Sequence, residues 1–393
     1  VKILLYSTLN PYPFWAGSEN LWFDFVQDER VRSAFQFNVM LADSPVTRKR
    51  ADELKSSGIS VAFYKHFNID FTRRNIFRAA DKLKRSPFRT LPWYREITRN
   101  KYDLVWLNVA ALADLADLTY AIRLCKKSKT PYWLVLQHGY EDFFVNSQQE
   151  LDSITEVALS AQRFIFIADQ NRRSLERAIG QPLHNAVRSV NAIPALKIEQ
   201  AVTISQSNTN GTSAKFFNLG RFSPKDKAQH LLLESFTGNR WKERDWQLHF
   251  IGVSGFGKTY LEKLVRYYSL DPPRIKITPH TNNVFEEIVK NDVLLMPSLS
   301  EGTPFAMVES MACGRPALGT PVGGIPELIQ NGITGWLAKT THISDISDKL
   351  EKVWEDREQW IEMGQKARHF IAANYNQEQS FTHLVYLLKE DLI

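Results

Sequence analysis

Two glutamates, Glu301 and Glu309, lie in the stretch VLLMPSLSEGTPFAMVESMACGRP, residues 293–316. An apolar run ends at Pro297, a short loop carries Glu301, and Thr303 with Pro304 reads as an N-cap followed by proline at the first helical position. The pattern predicts a helix over PFAMVESMAC that stops at Gly314, with Glu309 inside it. A loop carboxylate at that place can accept hydrogen bonds from sugar hydroxyls, and one on the helix would face another part of the same ligand, such as a ribose. The helix N-terminus, with unpaired N–H groups and a positive dipole end, suits an anion or a sugar hydroxyl. Taken alone, such a pair is more often a capped helix with two solvated carboxylates.

Other residues could join them. In FFNLGRFSPKDKAQHLLLESF, residues 216–236, a strand ends at Gly220, and Arg221 and Lys227 follow on a loop and the start of a helix. Fixed cations there would stabilise the charge that develops on a departing nucleoside diphosphate. Two basic residues in a loop are by themselves ordinary surface, and Lys225 competes for the same role. His138 closes the run YWLVLQ, and Gly17 sits in the turn STLNPYPFWAGSEN, where backbone could approach a phosphate. A lone histidine or glycine at such a place is usually structural. GVSGFGKT, residues 252–259, satisfies the phosphate-loop pattern between a strand and a helix.

The elements that must position these residues alternate along the chain. Strand-like runs are KILLYS, FNVMLA, SVAFYK, LVWLN, YWLVLQ and FIFIA in the first half, and FFNLG, LHFIG, RIKIT, VLLMPS and PALGT in the second. Helical stretches separate them, the pattern of parallel sheets with crossover helices. IEQAVTISQSNTNGTS is polar and lacks apolar periodicity, so it reads as an interdomain connection. The expected organisation is two Rossmann-like α/β domains facing a central cleft. Their bounds are 1–195 for the first domain, 196–213 for a linker, 214–374 for the second domain and 375–393 for a C-terminal helix. Ligands of such sheets bind beyond the carboxyl ends of the strands.

The segment 293–337 resembles the donor-binding signature of family-4 retaining glycosyltransferases of the GT-B fold, or glycosyl transferases group 1. Two glutamates separated by seven residues are followed by MACGRP, by Gly323-Gly324 with Glu327, and by Gly335-Trp336-Leu337. The resemblance covers the second domain almost entirely. In the first it rests on Gly17, His138, Asn191 of NAIP and strand order. It implies that Glu301 contacts donor sugar hydroxyls and Glu309 the ribose. It also implies that Gly302, Thr303, Pro304 and Phe305 line the sugar and phosphate pocket, and that Arg221 and Lys227 hold the diphosphate. By the same resemblance, His138 reaches the donor from across the cleft and the last helix crosses back to the first domain. The nucleobase is placed near Pro279 and His280, after RIKIT. The chain departs from the family at Thr303-Pro304, where many members have Phe-Gly, at Ala228, where glycine usually follows the lysine, and at Ala16, where a second glycine is common.

The implied reaction is metal-independent, hexosyltransferase-like transfer from a nucleotide sugar, with UDP ahead of GDP, no cofactor and no metal. No Asp-x-Asp pair, the usual metal clamp of the other major glycosyltransferase fold, occurs in the sequence. One alternative is a P-loop NTPase using residues 252–259, against which stands the lack of an acidic residue closing a later strand. Another is a catalytically silent glycan-binding protein. The formal net charge is +6, and residues 71–101 alone carry ten basic and two acidic side chains interleaved with Phe77, Phe88, Trp93 and Tyr94. That segment suits an anionic membrane surface or an acidic glycan or lipid-linked acceptor. It carries no nucleic-acid recognition motif. Two cysteines, no signal-peptide pattern and no long apolar span point to a cytoplasmic protein, peripheral on the membrane at most, and the resemblance implies a role in polysaccharide biosynthesis.

Overall fold

The computed structural model describes residues 1–8, 15, 19–64, 96–97, 100–140, 143–194, 213–253, 256–281 and 283–393. Gly17, the whole of 71–95 within the basic segment, and nearly all of the 196–213 connection lie outside the described residues.

Among the described residues, thirteen strands form two parallel sheets. The first contains β1 (Lys2–Ser7), β2 (Gln36–Ala42), β3 (Ser60–Tyr64), β4 (Leu104–Val109), β5 (Tyr132–Leu136), β6 (Arg163–Phe166) and β7 (Ala186–Arg188), ordered β3-β2-β1-β4-β5-β6-β7. The second contains β8 (Ala214–Leu219), β9 (Trp246–Gly252), β10 (Ile275–Pro279), β11 (Val293–Met296), β12 (Ala317–Gly319) and β13 (Gly335–Leu337), ordered β10-β9-β8-β11-β12-β13. All eleven strand-like runs are strands. The two additions, β7 and β13, are sheet edges of three residues each, too short to carry a period.

Both sheets are covered on both faces, which is why their central strands are buried and mostly apolar. Leu104 and Trp106 of β4 enter one core and Val105 and Leu107 the other, as the two-residue repeat of a strand requires. Phe217 and Leu219 of β8 likewise oppose Phe216 across the second sheet. In each sheet the strand order reverses beside the first strand, at β1/β4 and at β8/β11. The crevices above those reversals, where strand-to-helix loops diverge, are the natural ligand sites.

The last helix, Gln377–Leu392, belongs to the first core. Phe381, Leu384, Leu387 and Leu388 pack with β1, β4 and β5 side chains. Asp391 fixes its far end, accepting from Trp133 Nε1 at 2.8 Å and from Arg163 Nε at 2.8 Å. The crossover is pinned at NAIP: Ile193 N–H donates to Tyr375 O and Gln377 N–H to Ile193 O, at 3.1 and 3.2 Å. No helix among the described residues is long and apolar enough to cross a membrane.

Candidate active site

The loop after β11 is the centre of the cleft. Ser298, Ser300, Glu301 and Thr303 are all buried there. Glu301 Oε1 accepts from Ser298 Oγ at 2.7 Å and pairs with Lys227 Nζ at 2.5 Å. Gly139, in the turn after β5, forms an isolated antiparallel bridge with Glu301. The glutamate is therefore seated where the two domains touch, with its carboxylate on the lysine.

Arg221 and Lys227 both lie on the loop between β8 and the helix Gln229–Ser235; that helix begins two residues after Lys227. Asp226 organises the loop. It pairs with Arg221 at 2.8 Å, accepts from Ser223 Oγ at 3.0 Å and receives the hydroxyl of Tyr140 from across the cleft at 3.2 Å. Its carbonyl also accepts the N–H of Leu299 at 2.8 Å, tying this loop to the one bearing Glu301. Lys225 is separated from Lys227 by direction: its ammonium lies 5.9 Å from the Tyr140 ring centroid, whereas Lys227 meets Glu301. Ala228 adopts a left-handed conformation with φ 47°. Such a conformation costs an L-residue about 1 kcal/mol and none for glycine, which is why a glycine serves well at this position.

The helix starts one residue later than its capping pattern predicts. It spans Phe305–Ala312 with Pro304 as N-cap, and Pro304 has no side-chain cap. Thr303 does not cap it; its hydroxyl donates instead to Ile167 O of the first domain at 2.6 Å. The first-turn N–H groups of Phe305 and Ala306 have no partner within a helix geometry. Glu309 is partly exposed on this helix, and Gly314 ends it at φ 71°.

Glycines explain the rest of the signature. A Cβ at Gly302 would stand 2.0 Å from Gln137 O in the first domain. Gly323, at φ 55°, would meet Glu301 O at 2.3 Å, and Gly324 N–H donates to Gly302 O at 2.7 Å. The Gly-Gly turn is thus a backbone floor beneath Glu301 and Gly302. Other parts of the signature are structural. Arg315 donates to the carbonyls of Asn291 and Val289 at 2.6 and 2.7 Å, and Trp336 is buried with its N–H on Asp356. Glu327 faces the first domain, where Oε1 accepts the Asp169 N–H at 2.7 Å and Oε2 pairs with Arg188 at 2.5 Å.

His138 stands beside this junction. Its Nε2 is 3.2 Å from Ser300 Oγ and its ring meets Tyr140 edge-on at 5.2 Å. Burial holds its imidazole below the ordinary range, against the opposing pull of Glu301. Asn191 is buried at the crossover rather than in the cleft, and no partner reaches its Oδ1. His280 is exposed just past β10, the edge strand two places from β8, and no bond joins it to the residues around Glu301.

The phosphate-loop pattern has another use. A Cβ at Gly252 would lie 1.7 Å from Gly220 O and one at Gly257 2.2 Å from Phe222 O, so these glycines let the turn pack on the Arg221 loop. Lys258 lies 3.8 Å from Glu262 on its own helix. Sequence reasoning passed over Asp226, Ser298, Ser300 and Tyr140. An acid between two lysines, and serines flanking a buried glutamate, were the available signals.

Two domains of this topology, with a nucleotide-type crevice in the second facing the end of β5 in the first, define the GT-B architecture of glycosyltransferases. Residues 200–370 match the profile of the family described as Glycosyl transferases group 1. N-acetyl-alpha-D-glucosaminyl L-malate synthase of Bacillus anthracis is 34% identical over 106 residues, 27% of this chain and 28% of that protein. The amylovoran biosynthesis glycosyltransferase AmsK of Erwinia amylovora is 30% identical over 104 residues, 25% of this chain and 26% of its own length. These alignments span little more than a quarter of either relative. The solved structure of HepE from Anabaena in complex with UDP-glucose superposes over the whole molecule, with a TM-score of 0.73 at 16% identity, covering 99% of each chain.

Proposed function

We propose that the protein is a retaining glycosyltransferase that moves a sugar, a hexose in the first instance, from a UDP-sugar to a glycan or lipid-linked acceptor. One observation carries the reading: Lys227 and Glu301, 74 positions apart in sequence, meet in the cleft at the start of the helix Phe305–Ala312. A cation beside a helix N-terminus suits a diphosphate, and a carboxylate beside both suits sugar hydroxyls. Arg221 supplies a second cation on the same loop. In this reading the acceptor hydroxyl attacks the anomeric carbon from the face the diphosphate is leaving. The carbon–oxygen bond to phosphate breaks, the departing phosphate oxygen takes the acceptor proton, and configuration is retained. Lys227, Arg221 and the helix N-terminus meet the leaving charge, so the chemistry needs no metal. Gly302, Thr303, Pro304 and Phe305 line the pocket, Glu309 takes the ribose, and His138 approaches from the opposite wall. Pro304 lacks an N–H, so Phe305 is the first backbone donor available to a phosphate. UDP is preferred because the Anabaena neighbour binds UDP-glucose, and GDP is the second choice.

The basic run at 71–101 supports a place for the enzyme on the cytoplasmic face of an anionic membrane. An acidic acceptor answers to the same charge.

A panel of nucleotide sugars, assayed for donor hydrolysis with and without chelator and for product anomer by NMR, tests the reading. We expect hydrolysis of one UDP-sugar with retention, unaffected by chelator, and a fall on the order of 10²–10³ in Lys227→Ala. ATP hydrolysis dependent on Lys258 and magnesium would instead establish the phosphate-loop reading. Nucleotide-sugar binding without turnover would establish a silent glycan-binding protein.

A further inference from the structure

Behind the turn that bears His138 lies a buried carboxylate that the reaction above does not use. Glu19 is 1% exposed at the start of the helix Asn20–Gln27. Oε2 accepts from Ser7 Oγ at 2.6 Å and from Trp22 Nε1 at 2.8 Å, and Oε1 accepts from Asn108 Nδ2 at 2.9 Å. Asn108 passes the contact on, its Oδ1 accepting from Gln137 Nε2 at 2.7 Å. Gln137 is the residue before His138, and its carbonyl is the atom on which Gly302 closes. These side chains sit at or just beyond the carboxyl ends of β1, β4 and β5, so the line runs along the crevice rim to the donor loop.

We propose that Glu19 is a positioning residue of the cleft, acting through Asn108 and Gln137 to fix the His138 turn against Gly302 and Glu301. The proposal rests on the transferase reading for its effect on turnover, but its geometry stands apart from it. A carboxylate can only accept, so ionised Glu19 forces Asn108 to present its NH₂ and turn its oxygen to Gln137. Gln137 then presents its own NH₂ and leaves Oε1, buried, with no partner. Protonation reverses the line. The Glu19 hydroxyl donates to Asn108 Oδ1, and the Asn108 NH₂ swings to the unsatisfied Gln137 Oε1. Two amides turn over, and Gln137 loses the bond that holds it in the observed orientation. Burial raises the Glu19 carboxyl to about 7, with the three donors pulling the other way, so both forms are populated near neutrality.

Among the described residues, the other titratable groups that face this cluster are Tyr6 and Tyr64, at the ends of β1 and β3, and Asp114 in the short helix after β4. Tyr64 is held well above its ordinary range by burial and stays neutral, its hydroxyl donating to Ser7 O at 2.7 Å. Beyond Gln137 stand His138, and across the cleft Lys227 and Glu301. A titration of His138 is separated from that of Glu19 by substitution.

Two variants test the proposal. Glu19→Gln imitates the protonated form, and Gln137→Met breaks the far end while leaving the three donors of Glu19 in place. Backbone amide resonances of Gly139 and Gly302 are followed by NMR from pH 5.5 to 8.5, with UDP-sugar hydrolysis measured over the same range. In the wild type both amides should move with one transition near neutrality, and kcat should rise through it. In each variant the transition should vanish and kcat should be flat, lower by about ten- to a hundredfold at pH 8.5, with the donor KM within about twofold. Gly139 and Gly302 amides that ignore pH in the wild type, or that still titrate in both variants, would overturn the proposal. If the amides respond as expected but no nucleotide sugar is turned over, the transferase reading fails and the positioning role stands.

Discussion

Lys227 and Glu301 hold each other at 2.5 Å, and each is also the group expected to meet a ligand. A phosphate and a sugar hydroxyl arriving together would part them and satisfy both at once, whereas either alone would leave one charge short of a partner. His138 contributes a neutral imidazole to this pair, because burial depresses its pKa, so it adds a dipole rather than a second positive charge. Glu19 differs in that its charge state matters to stability. Its folded-state pKa of about 7 lies above the ordinary 4.5. Its stabilising contribution is therefore complete below pH 4.5 and is lost as pH rises through 7, an effect of a few kcal/mol. Urea unfolding at pH 5 and pH 8 should show Glu19→Gln gaining on the wild type at the higher pH. Parallel behaviour of the two proteins would contradict the raised pKa.

At the scale of elements, the site is built from turns pressed closer than side chains allow. Gly302 touches the carbonyl of Gln137, and Gly323 lies under Glu301, so the loop after β11 is held between the β5 turn and the Gly-Gly turn. Thr303 gives up its capping role to reach Ile167 O, and the helix behind it is left with an open N-terminus. That exchange removes a side-chain cap that would compete with a phosphate for the same N–H groups. Gly302→Ala would place a methyl 2.0 Å from Gln137 O, a distance backbone cannot absorb without moving. We expect that variant to keep both sheets, lose about 1–3 kcal/mol of stability and bind donor more weakly, measured by thermal melting and calorimetry. Unchanged melting and donor affinity would mean that the two turns do not meet this closely.

Among the described residues, the two domains are joined by the β5 turn on Glu301, Tyr140 on Asp226, Thr303 on Ile167, Glu327 on Asp169 and Arg188, and the last helix in the first core. Glu327 accepts the first amide of the helix Asp169–Ile179 and pairs with Arg188, so one carboxylate bridges the domains behind the donor loop. Glu327→Ala should widen the cleft, seen as a larger radius of gyration in solution scattering and a raised donor KM, with the second domain still folded. An unchanged scattering curve and KM would show that the other attachments suffice. The proposed membrane association belongs to this scale as well. Each basic side chain near anionic lipid contributes ~1 kcal/mol, within a Debye length of about 8 Å. Replacing Arg73, Arg74, Lys84 and Arg85 with Gln should weaken salt-sensitive binding to anionic vesicles while sparing donor hydrolysis. Equal pelleting with neutral vesicles, or none with anionic ones, would leave an acidic acceptor as the ligand of that segment.

The sequence by itself determined the two sheets and the loop of the candidate site, because both depend on local signals. Apolar runs such as LVWLN and VLLM, short and set between helical stretches, read as strands buried on both faces, and the spacing of Glu301, Glu309, MACGRP and Gly323-Gly324 is a linear pattern. Sequence also ranked Lys227 with Glu301, though only through resemblance, since nothing local joins residues 74 positions apart. The tertiary structure alone decided which lysine reaches the glutamate, that Asp226 and Tyr140 close the loop, and that Thr303 and Glu327 bind the opposite domain. It decided as well that Gly252 and Gly257 of GVSGFGKT serve packing, and that Glu19, one acid among 43 Asp and Glu residues, is buried with three donors. Burial, direction and partners are properties of what comes from elsewhere in the chain. No spacing in the sequence encodes them, because the groups that meet in the cleft are brought there by the packing of sheets and not by their neighbours.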